Sequence, residues 1–312
     1  MTVDWGIALA ALGVGIVVGL TGMGGGALMT PVLVLFFGIT PLAAVSSDLA
    51  AAAIMKPVGS FVHFRNGTVR LDLVRWLCIG SVPAAFCGVL IARSLGDGTD
   101  VQDAVKIALG IALLIAALGL FVRAYMRLAE RAAHRDARRE ADPPGPPHIQ
   151  VKPVPTVIIG IVGGVVVGMT SVGSGSLIII ALMWLYPTLR ASELVGTDLV
   201  QAVPLVASAA IAHAIFGDLQ LPLAGSLLIG SIPGAFIGAH LSARLPSALI
   251  RRALAFVLLA SALKLFDVST TTTGLLLGAL VVIAGPAWMA LRRLHGFPAL
   301  PQREQAPALA RR

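Results

Sequence analysis

An all-α, polytopic transmembrane helical bundle, built from two inverted repeats that each carry a glycine-broken helical hairpin, is the architecture this 312-residue chain encodes. Three observations lead there. The composition is 57% hydrophobic and only 12% charged, and apolar runs of about 20 residues, enough to cross about 30 Å of hydrocarbon, recur from end to end. Glycine clusters break that apolar sequence at matching points of the two halves. Basic residues gather at span ends and in one linker, as membrane topology places them, so the net charge of +8 is no sign of nucleic-acid binding. The runs are continuous rather than alternating, which excludes a transmembrane β-barrel.

The first apolar segment covers residues 5–20. No Lys or Arg precedes it, whereas a cleaved signal peptide opens on a basic stretch, so it is expected to be retained. Segments at 24–38, 43–64, 71–92 and 102–125 follow. Cys78 and Cys87 share the fourth; on one helix they stand about 13 Å apart at 1.5 Å per residue, too far for a disulfide, and read as small buried hydrophobes. Residues 127–152, RLAERAAHRDARREADPPGPPHIQVK, are charged and then proline-rich, which predicts an extension of the preceding helix and then a mobile loop. The second half gives segments near 154–170, 174–187, 193–216, 221–243 and 249–266, with an appended segment at 273–291. A basic, proline-containing tail from Arg292 is expected to be disordered. The organisation is a first repeat at 1–126, a linker at 127–152, a second repeat plus one extra helix at 153–291, and a tail at 292–312.

The halves repeat. GLTGMGGGAL (Gly19 to Leu28) matches GMTSVGSGSL (Gly168 to Leu177), VSSDL (Val45 to Leu49) matches VGTDL (Val195 to Leu199), and GSVPAAFCG (Gly80 to Gly88) matches GSIPGAFIG (Gly230 to Gly238). A near-constant offset over such a stretch marks internal duplication, the common build of secondary transporters. With the central linker on the cytoplasmic side the spans alternate, and every Lys and Arg except Lys56, Arg93, Lys106 and Lys264 falls on that side. The outer connections carry Asp97, Asp100, Asp218 and Asp267 instead. Arg65, Arg70 and Arg75 lie inside, while their counterparts around Ile215 to Gly225 lie outside and carry no basic residue. The repeats are therefore expected to run oppositely through the membrane.

Broken segments inside a membrane are tolerated only where protein or a water-filled cavity surrounds them, and two at matching positions point to a midplane binding site. A helix starting at Gly24, Gly25 and Gly26 exposes N–H groups with a partial positive charge, and glycine lets an anion come close to them. In the second half Gly173 and Gly175 alternate with Ser174 and Ser176, whose hydroxyls add donors; Thr21, Thr170 and Ser171 extend the set. The competing structural reading is that these glycines serve close helix packing alone. Ser47 and Thr197 precede the repeated aspartates Asp48 and Asp198 and join the candidate substrate-binding residues. Lys56, His63, Gln201 and His213 lie further along the same two helices. At 100° per residue Asp48, Lys56 and His63 share one face, and Asp198 and His213 another. Ionisable groups in a membrane usually line a pathway or a proton relay. Lys56 is read as the counter-charge for an anion or for Asp48, and Asp48, Asp198, His63 and His213 as candidates for proton coupling. Pro83 and Pro233, flanked by glycine, are expected to kink their helices.

At these residues the sequence resembles the TauE/SafE membrane proteins, named for sulfite export. The carriers are GMGGGALMTPVLVLFFGITPLAAVSSDL, its echo SVGSGSLIIIAL with ASELVGTDL, and the repeated GSVPAAFCG and GSIPGAFIG. The likeness covers roughly residues 6–290. It implies a multi-pass carrier of the bacterial inner (plasma) membrane, taking sulfite, sulfoacetate or related sulfonates, with the glycine motifs contributing to the site. Many family members have Ser where this chain has Asp48 and Asp198. A carboxylate beside an anion site repels its guest unless protonated or paired, so proton binding there is read as coupled to transport. The expected partners are the small anionic substrate and the lipid bilayer, with no nucleic acid, no cofactor, and a homodimer left open.

Two other classes fit the sequence less well. Ser174 with His213 or His240 could be stretched into a Ser–His pair, but G-x-S-x-G is absent and Gly25 stands where Ser174 stands in the other half; no enzyme is expected. A cation or metal carrier would use Asp48, Asp198, His63 and His213 as ligands, but Lys56 and the glycine N–H groups present positive potential, and no cluster with metal spacing occurs. No Walker motif is present, so this chain does not use ATP directly.

Overall fold

The structure, a computed structural model, describes residues 3–21, 25–65, 67–94, 98–137, 150–189, 191–242 and 247–294. These residues form eleven α-helices and no named strand: α1 (Trp5–Thr21), α2 (Gly26–Phe37), α3 (Pro41–Arg65), α4 (Leu71–Ser94), α5 (Thr99–Ala137), α6 (Pro153–Thr170), α7 (Leu177–Leu185), α8 (Ala191–Phe216), α9 (Leu221–Ser242), α10 (Ser247–Leu265) and α11 (Thr270–Leu294). Among the described residues α4, α5, α6, α8, α9 and α11 contain stretches long and apolar enough to span a bilayer, whereas α1 and α2 are apolar but shorter.

Local chemistry sets the ends. Gly38 adopts a left-handed φ of 63° after α2 and returns its N–H to Leu33 O, the usual helix stop. Pro41 opens α3, where the lost N–H has no intrahelical acceptor to miss. Helix α7 ends early, because Pro187 biases Tyr186 away from helix. Helix α5 runs to Ala137, well past its apolar stretch: Arg, Leu, Ala and Glu there are good helix formers.

Two glycine seams hold the halves together. On α9, a Cβ added at Gly230, Gly234 or Gly238 would stand 1.9, 2.3 and 2.1 Å from the carbonyl oxygens of Ala8, Leu12 and Ile16 of α1. On α6, a Cβ at Gly160, Gly164 or Gly168 would stand 2.5, 2.5 and 2.2 Å from those of Leu77, Ser81 and Ala85 of α4. In each seam both partners advance four residues at a time, so each pair is parallel. Close backbone approach of this kind is how helices gain dispersion energy in lipid, where hydrophobic burial drives little association. The repeated GSVPAAFCG and GSIPGAFIG are thus packing surfaces: Gly80 and Gly88 face Val157 O and Val165 O. Both helices continue through Pro83 and Pro233.

The first helix of each half therefore packs on the fourth helix of the other half. The third helices meet each other: Ser60 Oγ donates to Leu199 O at 2.8 Å and Ser46 Oγ lies 2.8 Å from His213 Nδ1, so α3 and α8 run antiparallel. Helices α5 and α10 also pair, with Lys106 Nζ 2.8 Å from Asp267 Oδ1 and Oδ2. Two apolar clusters fill the gaps, one including Leu33, Leu113, Leu227 and Leu258, the other Leu42, Leu77, Ile178, Leu182 and Leu205. Helix α11 stands outside both; it touches α10, where Arg252 sits 5.4 Å above the Trp288 ring.

Candidate functional site

The second break is described in full. Ser171 takes a φ of 58°, Gly173 of 136° and Gly175 of 93°; the two glycine values lie where a side chain is strained. Thr170 Oγ1 donates to Val166 O at 2.6 Å and accepts the Val172 N–H at 3.1 Å, which fixes the exit from α6. The chain then turns so that Gly173 O accepts from the N–H of Ser176, Leu177 and Ile178 at 3.3, 3.0 and 3.4 Å. On the other side Gly25 O accepts from Leu28 and Met29 N–H at 3.0 and 2.9 Å. Sequence reasoning expected bare amides at both helix starts; at α7 the N–H groups of Ser176, Leu177 and Ile178 are engaged within the chain, and at α2 those of Leu28 and Met29. Gly24 lies outside the described residues.

The two breaks meet. A Cβ on Gly26 would stand 2.1 Å from Ser171 O, so only glycine lets α2 begin there. Asp48, on α3, ties the junction: its Oδ2 accepts from Ser171 Oγ at 2.7 Å and from Thr30 Oγ1 of α2 at 3.1 Å. All three groups are buried, and a buried carboxylate needs such donors. Lys56, two turns along α3, donates from Nζ to Ser174 Oγ. The charges acting on its ammonium are the carboxylates of Asp198 and Asp48. A basic group, a hydroxyl pair and glycine backbone are thereby gathered around one interruption.

The remaining candidates are held elsewhere. Asp198 Oδ1 accepts from Gln201 Nε2 at 3.1 Å, and Gln201 Oε1 accepts from Ser81 Oγ at 3.1 Å. Because α3 and α8 are antiparallel and Ser60 meets Leu199, Asp48 and Asp198 are separated by roughly 18 Å along the pair. Ser47 and Thr197 anchor loops: Thr197 Oγ1 accepts the Arg70 N–H at 3.0 Å, and Ser47 Oγ the Gln220 N–H at 3.4 Å. His213, fully buried, bridges Ser46 and Gly168 O, the latter 2.8 Å from Nε2. His63 reaches Thr68 Oγ1 at 3.1 Å. Thr21 Oγ1 donates to Val17 O at 2.8 Å. Thr30 was missed in the sequence; its signal was a lone hydroxyl one turn beyond the glycine cluster in an otherwise apolar helix. Among the described residues no three of His, Cys, Asp and Glu converge on a metal position.

Known proteins resemble the chain along most of its length. The family profile described as "Sulfite exporter TauE/SafE" matches residues 7–265, ending with α10 and leaving α11 outside. The "Probable membrane transporter protein YjnA" of Bacillus subtilis (strain 168) is 40% identical over 260 residues, 83% of this chain and 98% of that protein. The "Probable membrane transporter protein YdhB" of the same organism is 25% identical over 250 residues, 80% of this chain and 94% of that protein. No solved structure matches the chain. With spanning helices, a duplicated sequence, two interrupted segments in contact and a profile match across both halves, this multi-pass membrane protein belongs to the TauE/SafE family of membrane transporters.

Proposed function

We propose that the chain is a secondary active carrier of small anions, with sulfur oxyanions such as sulfite and sulfonates as its substrate class, working by alternating access in the bacterial inner membrane. The observation that carries this reading is the meeting of the two breaks at Gly26 and Ser171, with Lys56 bound to Ser174 beside them. The guest accepts hydrogen bonds from Lys56 Nζ, Ser174 Oγ and the hydroxyls of Ser171 and Thr30, at the glycine backbone of Gly25, Gly26, Gly173 and Gly175. Sulfite export in the family description supports the substrate class. The roughly 18 Å between Asp48 and Asp198 argues against one ion shared by both carboxylates.

Asp48 supplies the coupling. As a carboxylate it holds Ser171 and Thr30 and repels an incoming anion. A proton on Asp48 removes that repulsion and frees a hydroxyl donor for the guest, so one proton accompanies one anion. The reading of inverted repeats is supported by the antiparallel course of α3 and α8 and by one contact made twice, Ser47 with Gln220 and Thr197 with Arg70, at matching places of each half. These two contacts serve as gates. The Thr197 gate is the tighter and is backed by an ion pair of Arg70 Nε with Glu193 Oε1 at 3.2 Å, so the linker side reads as closed.

Uptake of labelled anions into vesicles containing the purified protein tests the proposal, with sulfite, sulfate, thiosulfate, sulfonates and simple carboxylates compared against divalent metals. Saturable transport of a sulfur oxyanion is expected. Transport of a metal with no anion flux would falsify the anion assignment.

A further inference from the structure

Ser176 stands at the start of α7, where a serine ordinarily caps the helix by accepting a first-turn N–H. It makes no such bond; Gly173 O accepts from the N–H groups of Ser176, Leu177 and Ile178 instead. The Ser176 hydroxyl is thus released from the helix. It is 7% exposed, and no described residue partners its Oγ. Burying an idle hydroxyl is costly, and native proteins rarely keep one without an occupant beside it.

The hydroxyl lines a cleft between α5 and the start of α7, walled by Ala116, Gly119 and Leu120 on one side and by Gly175 and Ile179 on the other. Its volume is about 10 Å³, room for a single water-sized oxygen atom. Ser176 brings the polar side chain to an otherwise apolar lining. Helix α5 closes tightly around it: a Cβ on Gly119 would stand 1.9 Å from Ile180 Cδ1. Gly175, which borders the cleft, is also the neighbour of Ser174, the residue that holds Lys56.

We propose that Ser176 is an oxygen-binding residue of the transport site, its hydroxyl holding in this cleft one oxygen of the transported oxyanion or a water molecule beside that anion. This rests on the anion-carrier reading and adds a contact from the α5 side. One oxygen is all the cleft admits, so the bulk of the guest stays on the Lys56 side of Gly175, and an anion with an oxygen to spare is preferred over one whose oxygens are all engaged there.

The test uses purified full-length Ser176→Ala and, independently, Gly119→Ala, whose added methyl drives Ile180 into the cleft. Melting without anion and affinity for sulfite and for a sulfonate are measured in both. If water occupies the cleft, Ser176→Ala melts below the wild type without any anion present. If a substrate oxygen occupies it, Ser176→Ala melts at or above the wild type while sulfite affinity falls about tenfold, the loss of one hydrogen bond to a charged group. Gly119→Ala should follow Ser176→Ala in either case. A Ser176→Ala protein that melts at or above the wild type with no loss of anion affinity overturns the proposal. Wild-type protein that binds none of these anions speaks against the carrier reading instead, and the anion-free melting then decides the cleft alone.

Discussion

Asp48 and Asp198 occupy matching positions of a duplicated sequence, yet their surroundings differ, and the difference is written in their partners. Asp48 receives Ser171 and Thr30; the positions related to those by the repeat are Gly22 and Ile179, neither of which has a hydroxyl to offer, so Asp198 turns to Gln201 on its own helix. One half thus provides the junction carboxylate, and its replacement should be the more damaging to coupling. Asp48→Asn is expected to flatten the pH dependence of uptake while retaining binding; Asp198→Asn should leave a pH profile close to that of the wild type. Counterflow measured across external pH settles this, and an unaltered profile in Asp48→Asn would remove proton coupling at that residue. Lys56→Met should lower anion affinity at least tenfold, since a hydrogen bond to a charged group is worth about 1.5–3 kcal/mol. Equal anion affinity in that variant would dismiss Lys56 as the counter-charge.

The helices show what a sequence can and cannot announce. The breaks after Thr21 and Thr170 were legible because nothing but a demand for bare backbone explains glycine clusters inside apolar runs. The role of Gly80, Gly88, Gly230 and Gly238 was not: their lack of a side chain serves contact with a helix more than 70 residues away in the chain. Periodicity names a face but not its partner. Likewise the spacing of Asp48 and Thr30 gave no hint that α2 folds back onto α3. The seams make a sharp prediction. Gly234→Leu must push α9 off the Leu12 carbonyl and should destabilise the protein by about 1–3 kcal/mol or more, whereas Gly278→Leu on α11, where nothing stands within 4 Å, should be close to neutral. Unfolding of both variants in the same detergent provides the comparison, and equal stability would show that the seam is not what joins the halves.

Taken as a molecule, the chain is a transporter-family core with an addition. The family profile ends at Leu265, and α11 contributes one buried residue, Thr273. Removal of residues 268–312 is therefore expected to leave anion uptake within about twofold of the full chain and to leave its melting temperature nearly unchanged, because few packed contacts are lost. Loss of transport on truncation, with expression retained, would assign α11 a place in the core. That the chain is a bundle of many apolar helices was legible in its recurring apolar runs, which act along the chain. The exchange of first and fourth helices between halves was not, because it is a property of contacts that sequence order does not reveal.

That exchange has a consequence for biosynthesis. As the polypeptide leaves the ribosome at some 5–20 residues per second, α4 is already seated when α6 arrives, and that seam can close at once. Helix α1 has no such welcome. Its glycine-lined partner α9 is synthesised last but two, so the opening helix must wait in the bilayer with Gly15 and its neighbours facing lipid until nearly the whole protein has been inserted. A nascent chain stalled before Leu221 would leave that strip uncovered in the bilayer.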